Sequence, residues 1–157
     1  MFVYWGRRGA LTQFTHDLAR AAMAHPELDA MVSLSRQNES FGAFEKFGDR
    51  LFAVDTFSTN TGALSKSWRI PLLREHFCAR LSRDRTDAVV TLLPHVWMPW
   101  IMPAVRREGI RYASIVHDAE PHPGDPTAIV HKLLLRDADA ADVVVTMSHD
   151  VAERLIA

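Results

Sequence analysis

The chain has 157 residues, 48% hydrophobic and 24% charged, with a formal net charge of −1. That size and balance fit one soluble globular domain, which buries roughly 68–70% of its unfolded surface and has no global field to draw nucleic acid. Cys78 is the only cysteine, which excludes an internal disulfide; with no signal peptide and no apolar run long enough for a bilayer, a cytoplasmic setting is expected.

Along the chain, short apolar segments alternate with longer ones of helical period, as in successive βαβ units. Residues 2–5 (FVYW) predict a first strand, followed by the turn Gly6-Arg7-Arg8-Gly9. Leu11, Phe14, Leu18 and Ala22 then recur at three- and four-residue spacing, which predicts a helix over 11–24 that His25-Pro26 ends. Residues 29–35 read as a second strand, 39–47 as a short helix or loop with Phe41, Phe44 and Phe47, and 50–55 as a third strand. The polar stretch 56–66 reads as a loop. Residues 67–82 predict a helix that tolerates Pro71 near its start, with Leu73, Phe77 and Leu81 every four residues. Strands at 87–93, 111–117 and 142–147 alternate with helices at 96–108 and 127–138, and Ser148 caps a final helix that reaches Ala157.

Six strands joined by helical crossovers demand a mostly parallel, doubly wound α/β sheet covered on both faces. The chain stops one helix after a strand, so the expectation is one half of a longer architecture. All carboxyl ends of such a sheet share one edge. Gly6–Gly9, Pro94-His95, His117-Asp118 and Ser148 each follow a strand and should gather along one crevice. In the first of these, glycines allow close backbone approach, and the N–H groups opening the next helix attract phosphate or carboxylate. The G-x-G-x-x-G spacing of dinucleotide binders and the P-loop Gly-Lys-Ser/Thr are both absent, which argues against dehydrogenase and NTPase readings.

The fifth strand empties into His117-Asp118-Ala119-Glu120-Pro121-His122-Pro123-Gly124-Asp125, a loop crowded with imidazoles and carboxylates. Metal binding is the lesser reading there, because prolines and a glycine restrict the run and no second ligand cluster of H-E-x-x-H type exists. Trp97–Pro103 could lie against a membrane or an apolar acceptor, although an ordinary helix start packed on the sheet is the favoured reading. The basic run Lys66, Arg69, Arg74, Arg80, Arg83 and Arg85 could meet anionic lipid or an acidic acceptor, with a solvated helix face as the default.

Three stretches together, GRRGALTQFTHDLARA, PHVWMPWIMPAVRREGIRYASIVHDAEPHPGD and ADVVVTMSHDVAERL, resemble the N-terminal domain of GT-B glycosyltransferases of the family-4, retaining type. The resemblance covers essentially the whole chain. It implies two Rossmann-like domains facing a cleft, the N-terminal one mainly contacting the acceptor and the absent C-terminal one holding a nucleotide-sugar donor, with no metal and no other cofactor. It implies that the turn at Gly6, Gly9, Ala10 and Thr12 lies near donor phosphates and sugar, with Gly9 matching the family and Ala10 replacing its usual second glycine. It implies that His117 stands close to the transferred sugar, as a substrate-orienting or transition-state-stabilising residue, with Asp118 fixing its orientation. His95, His122 and Ser148 are further substrate-side candidates, with turn and cap roles as the plainer reading for His95 and Ser148. The paired glutamates of the donor site have no counterpart here, so this fragment alone is expected to be inactive. Partners are then a glycosyl acceptor, the nucleotide-sugar and the chain's own second domain, with no nucleic acid and with peripheral contact at the inner membrane face as an option.

Without the resemblance, His117 equally well satisfies a backbone carbonyl at the strand end. A free-standing ligand-binding or scaffold domain that kept the fold and lost the chemistry stays open. A flavodoxin-like or receiver-type domain ranks below both, since Arg7-Arg8 stands where an acidic cluster or flavin loop is needed.

Overall fold

The computed structural model describes residues 1–118 and 131–156. Six strands, β1 (Phe2–Tyr4), β2 (Val32–Ser35), β3 (Leu51–Val54), β4 (Ala88–Thr91), β5 (Arg111–Val116) and β6 (Val143–Thr146), form one sheet in the order β3-β2-β1-β4-β5-β6. Every pairing is parallel. β1 lies between Val32–Leu34 on one side and Val90–Thr91 on the other. The connection direction reverses there, which makes the β1/β4 boundary the switch point of a doubly wound, Rossmann-like sheet.

The expected alternation of strand and helix holds, with strand ends trimmed by one to three residues. Helix α1 spans Leu11–Ala24 and stops at His25, whose ψ of 127° is extended as a residue before proline prefers. The stretch expected as helix or loop at 39–47 divides into α2 (Phe41–Phe44) and a 3₁₀ turn over Glu45–Arg50. The expected loop at 56–66 contains a helix, α3 (Asn60–Ser65), capped by Thr59, whose Oγ1 accepts from the Gly62 amide at 3.1 Å. Its outward Leu64 gives it no apolar period, so a cap rather than a pattern was its only signal. A 3₁₀ turn at Ser67–Arg69 leads into α4 (Ile70–Arg83), where Pro71 occupies the first turn, which needs no N–H. Helix α5 (Met98–Arg107) takes Pro99 in the same way, but Pro103 lies inside it. Helices α6 (His131–Asp139) and α7 (His149–Ile156) complete the described elements, and residues 127–130 of the helix expected at 127–138 lie outside the described residues.

The period-two alternation of β1 divides the core. Val3 and Trp5 face one way, into a cluster with Phe77 and Leu81 of α4 and Met98, Ile101, Met102 and Val105 of α5. Phe2 and Tyr4 face the other way, against Ala19 and Leu18 of α1 and Phe44 of α2. Each Val, Leu, Ile, Phe or Met side chain fully buried this way stabilises the fold by about 1.5–3 kcal/mol. The cover thins at the β6 edge, where Val143 is 56% exposed. Among the described residues no helix is long and apolar enough to cross a membrane.

Candidate functional site

Because every strand runs the same way, the segments after β1, β4, β5 and β6 do share the carboxyl edge. Gly6–Gly9 and His117 therefore open on one rim. Only β4 lies between β1 and β5, so the turn and the imidazole stand two strand spacings, roughly 10 Å, apart.

The first turn is shaped by its neighbours. Gly6 lies over the Tyr4 ring, where an added Cβ would come within 2.5 Å of ring atoms, and the Tyr4 hydroxyl donates to the Arg8 carbonyl at 3.1 Å. Gly9 has φ +106°, and nothing lies within 4 Å of its Cβ position, so the backbone there is exposed on the open side. Asn38, from the loop after β2, donates to the Gly6 carbonyl at 2.9 Å and to Thr12 Oγ1 at 3.1 Å. Thr12 is thus a buried member of an internal network. Ala10 is the N-cap of α1 in helical conformation and contributes no side-chain cap.

An anion already sits at this helix start. The Gly9 amide donates to Glu39 Oε1 at 3.1 Å, and the Glu39 amide returns a bond to the Arg7 carbonyl at 2.9 Å. The resident carboxylate uses the positive end of α1 that a ligand phosphate was expected to use. Glu39 is exposed, so a stronger anion displaces it only at the cost of moving one solvated side chain.

His117 stands half-buried at the end of β5, its Nε2 2.8 Å from the Leu92 carbonyl at the end of β4. Only a protonated Nε2 can make that bond, which leaves Nδ1 of the neutral ring as an acceptor. The Leu92 amide in turn donates to the Val3 carbonyl at 2.9 Å, linking β5 to β1 through the switch point. Asp118 follows as an exposed residue. Glu120, His122 and Asp125 lie outside the described residues, and among those described no cluster of three metal-ligating side chains occurs. Ser148 caps α7, its Oγ accepting from the Val151 amide at 3.2 Å.

His95 is drawn inward. It is 8% exposed, stacked on Phe57 with ring centroids 5.2 Å apart and set edge-on to Trp5 and Trp97. Its Nδ1 accepts from the Trp97 amide at 3.3 Å, a local bond in the turn that leads into α5. Burial, and after it the positive charge of Arg7, push its pKa down to about 3, so the imidazole is neutral. The Arg7 guanidinium lies 5.4 Å from the Phe57 ring centroid and donates to the Ser58 carbonyl and, at 2.6 Å, to Asn60 Oδ1.

Sequence reasoning missed the polar rim after β2 and β3. Gln37 Oε1 accepts from the Thr56 amide at 2.8 Å, Ser35 and Thr56 hydroxyls meet at 2.7 Å, and with Asn38 and Glu39 these residues build the wall beside the glycine turn. The signal was present: Gln37-Asn38-Glu39-Ser40 directly follows a buried strand, by the same rule that singled out His117. Against known proteins, the chain matches no family model and no curated relative.

Proposed function

We propose that this chain is the acceptor-side, Rossmann-like half of a retaining, nucleotide-sugar-dependent glycosyltransferase of the GT-B type, completed by a second domain that binds the donor. The observation that carries the reading is the pairing, on one sheet edge, of an open glycine turn at a helix start with a histidine whose tautomer is set by Leu92. Nδ1 of His117 then accepts from a hydroxyl of the transferred sugar, and the fixed ring orients that sugar without reorganising. The turn at Gly6–Gly9, once Glu39 has moved aside, offers backbone N–H groups to a sugar phosphate or an acceptor anion. Cleavage of the donor's sugar–phosphate bond leaves positive charge on the sugar and negative charge on the departing phosphate, and the latter falls to the second domain. No metal or further cofactor is required. In this reading the fragment alone is inactive.

A second reading, a binding or scaffold domain without chemistry, is favoured by one observation: Nε2 of His117 and the amide of Gly9 both already have internal partners. The test is a screen of nucleotide sugars and acceptors against the full-length protein by product mass spectrometry, beside His117→Ala. Sugar transfer with kcat/KM lowered by roughly 10–100-fold in the variant, about 1.4–2.7 kcal/mol of transition-state stabilisation, supports the role given to His117. Transfer with an unchanged kcat/KM removes His117 from the site. No transfer with any pair favours the scaffold reading.

A further inference from the structure

The amino edge of the sheet, opposite the rim that carries His117 and the glycine turn, holds a cleft of about 550 Å³ where α5 and α6 end and β5 and β6 begin. Its charged groups are Arg106 and Arg107 from the last turn of α5, Arg111 from the first position of β5, and Asp142 just before β6. Three guanidiniums thus meet one carboxylate, in a chain whose net charge is −1. Gly109 turns the chain between the arginines at φ +79°, and nothing lies within 4 Å of its Cβ position, so no side chain fills the cleft there.

The carboxylate is already engaged. Asp142 Oδ1 accepts from the Arg106 guanidinium at 2.6 Å and its Oδ2 from the Tyr112 amide at 2.8 Å, which offsets the charge of Arg106 and holds that side chain against the start of β5. Arg107 donates through Nε to the Pro103 carbonyl at 3.2 Å, one turn back in its own helix, so its guanidinium is anchored by one edge. Among the described residues neither Arg107 nor Arg111 has an ion pair. Bases in the last turn of a helix complement its carbonyl end, and that accounts for Arg106 and Arg107. It does not account for Arg111, a strand residue whose own amide is paired with the Asp87 carbonyl at 3.1 Å. All three arginines are exposed, so core packing did not place them together.

We propose that this cleft binds a small phosphomonoester, as a second ligand site on the opposite edge of the sheet from the candidate reaction site. The planar forks of Arg107 and Arg111 take phosphate oxygens in charge-assisted pairs, with the anchored Arg106 beside them. The volume leaves room for a metabolite-sized carbon skeleton next to the phosphate. Arg111 and Val116 are the two ends of β5, roughly 16 Å apart at the rise of a strand, so a ligand held by Arg111 does not touch His117. The inference is independent of the reaction proposed for the carboxyl edge.

Titration of the 157-residue chain with glycerol 3-phosphate and with inorganic phosphate, at constant ionic strength and with chloride as the reference, tests it by amide NMR. Expected are saturable shifts centred on the amides of residues 106–112 and 140–142, a Kd of about 1 mM or below for glycerol 3-phosphate, and weakening by about tenfold or more in Arg107→Ser/Arg111→Ser. Arg111→Lys should keep part of the affinity, since the charge survives without the fork. Both positions are exposed, and an unchanged melting temperature shows that the variants are folded. The proposal is overturned if neither phosphate saturates, if chloride moves the same amides equally, or if the serine variant binds like the parent. Saturable shifts at Gly9 and the start of α1 alone overturn it in favour of the carboxyl edge. A phosphoserine peptide binding tenfold more tightly than glycerol 3-phosphate overturns the small-molecule assignment in favour of a protein partner.

Discussion

Asp137 is fully buried between α6 and the sheet, and replacing it with asparagine should change how stability depends on pH. Its Oδ2 accepts from Ser114 Oγ at 3.2 Å and Thr91 Oγ1 at 3.3 Å, the Tyr112 phenol closes the group, and Oδ1 has no hydrogen-bond partner. All three neighbours are neutral hydroxyls. Burial therefore raises the carboxyl pKa, which the hydrogen bonds from Tyr112, Ser114 and Thr91 offset only in part. A carboxyl raised in the folded state holds its proton there after the unfolded chain, titrating at about 3.9, has released it. Its contribution is therefore fully present below that value and is lost as pH rises towards the folded-state pKa. Within that window one such group lowers stability by about 1.4 kcal/mol per pH unit. Urea unfolding followed by tryptophan fluorescence at half-unit steps from pH 4 upward should show that slope in the parent and its loss in Asp137→Asn. Parallel stability curves for the two proteins would refute the reasoning, because they would mean that Asp137 ionises alike folded and unfolded.

Two further outcomes follow from the site's packing. His95, whose pKa is pushed down to about 3 by burial and then by Arg7, should show no imidazole titration by NMR between pH 5 and 8; because its folded pKa is depressed, its contribution to stability is present above about 6.5 and declines as pH falls from there towards 3. Gly6→Ala, whose Cβ would meet the Tyr4 ring at 2.5 Å, should lower stability by about 1–3 kcal/mol in thermal unfolding, and combining it with Tyr4→Ala should remove most of the clash component.

Fold class was legible because its signals are local. Apolar runs too short for helices alternated with segments of helical period, and the glycine, proline and cap residues that separate them act on their own stretch of backbone. Helix α1 was bounded to the residue because His25-Pro26 and the Gly6–Gly9 turn are chemical stops. Helix α3 escaped because its apolar side chains point both ways, so that only the Thr59 cap marked it. The candidate site was legible in part. A strand emptying into polar residues identified His117 and the glycine turn, since strand polarity alone puts them on one edge.

What the sequence by itself determined, then, was which segments are strands and helices and that their carboxyl ends converge, both consequences of hydrogen-bonding period and chain direction. Only the tertiary structure decided the partners. It set Glu39 on the Gly9 amide, Leu92 on the His117 ring and four aromatic rings around each other at His95, contacts spanning up to tens of residues that depend on strand order and side-chain direction. It also turned Trp97 inward and Trp68 outward, a choice between two equally apolar side chains that depends on which face of each helix meets the sheet.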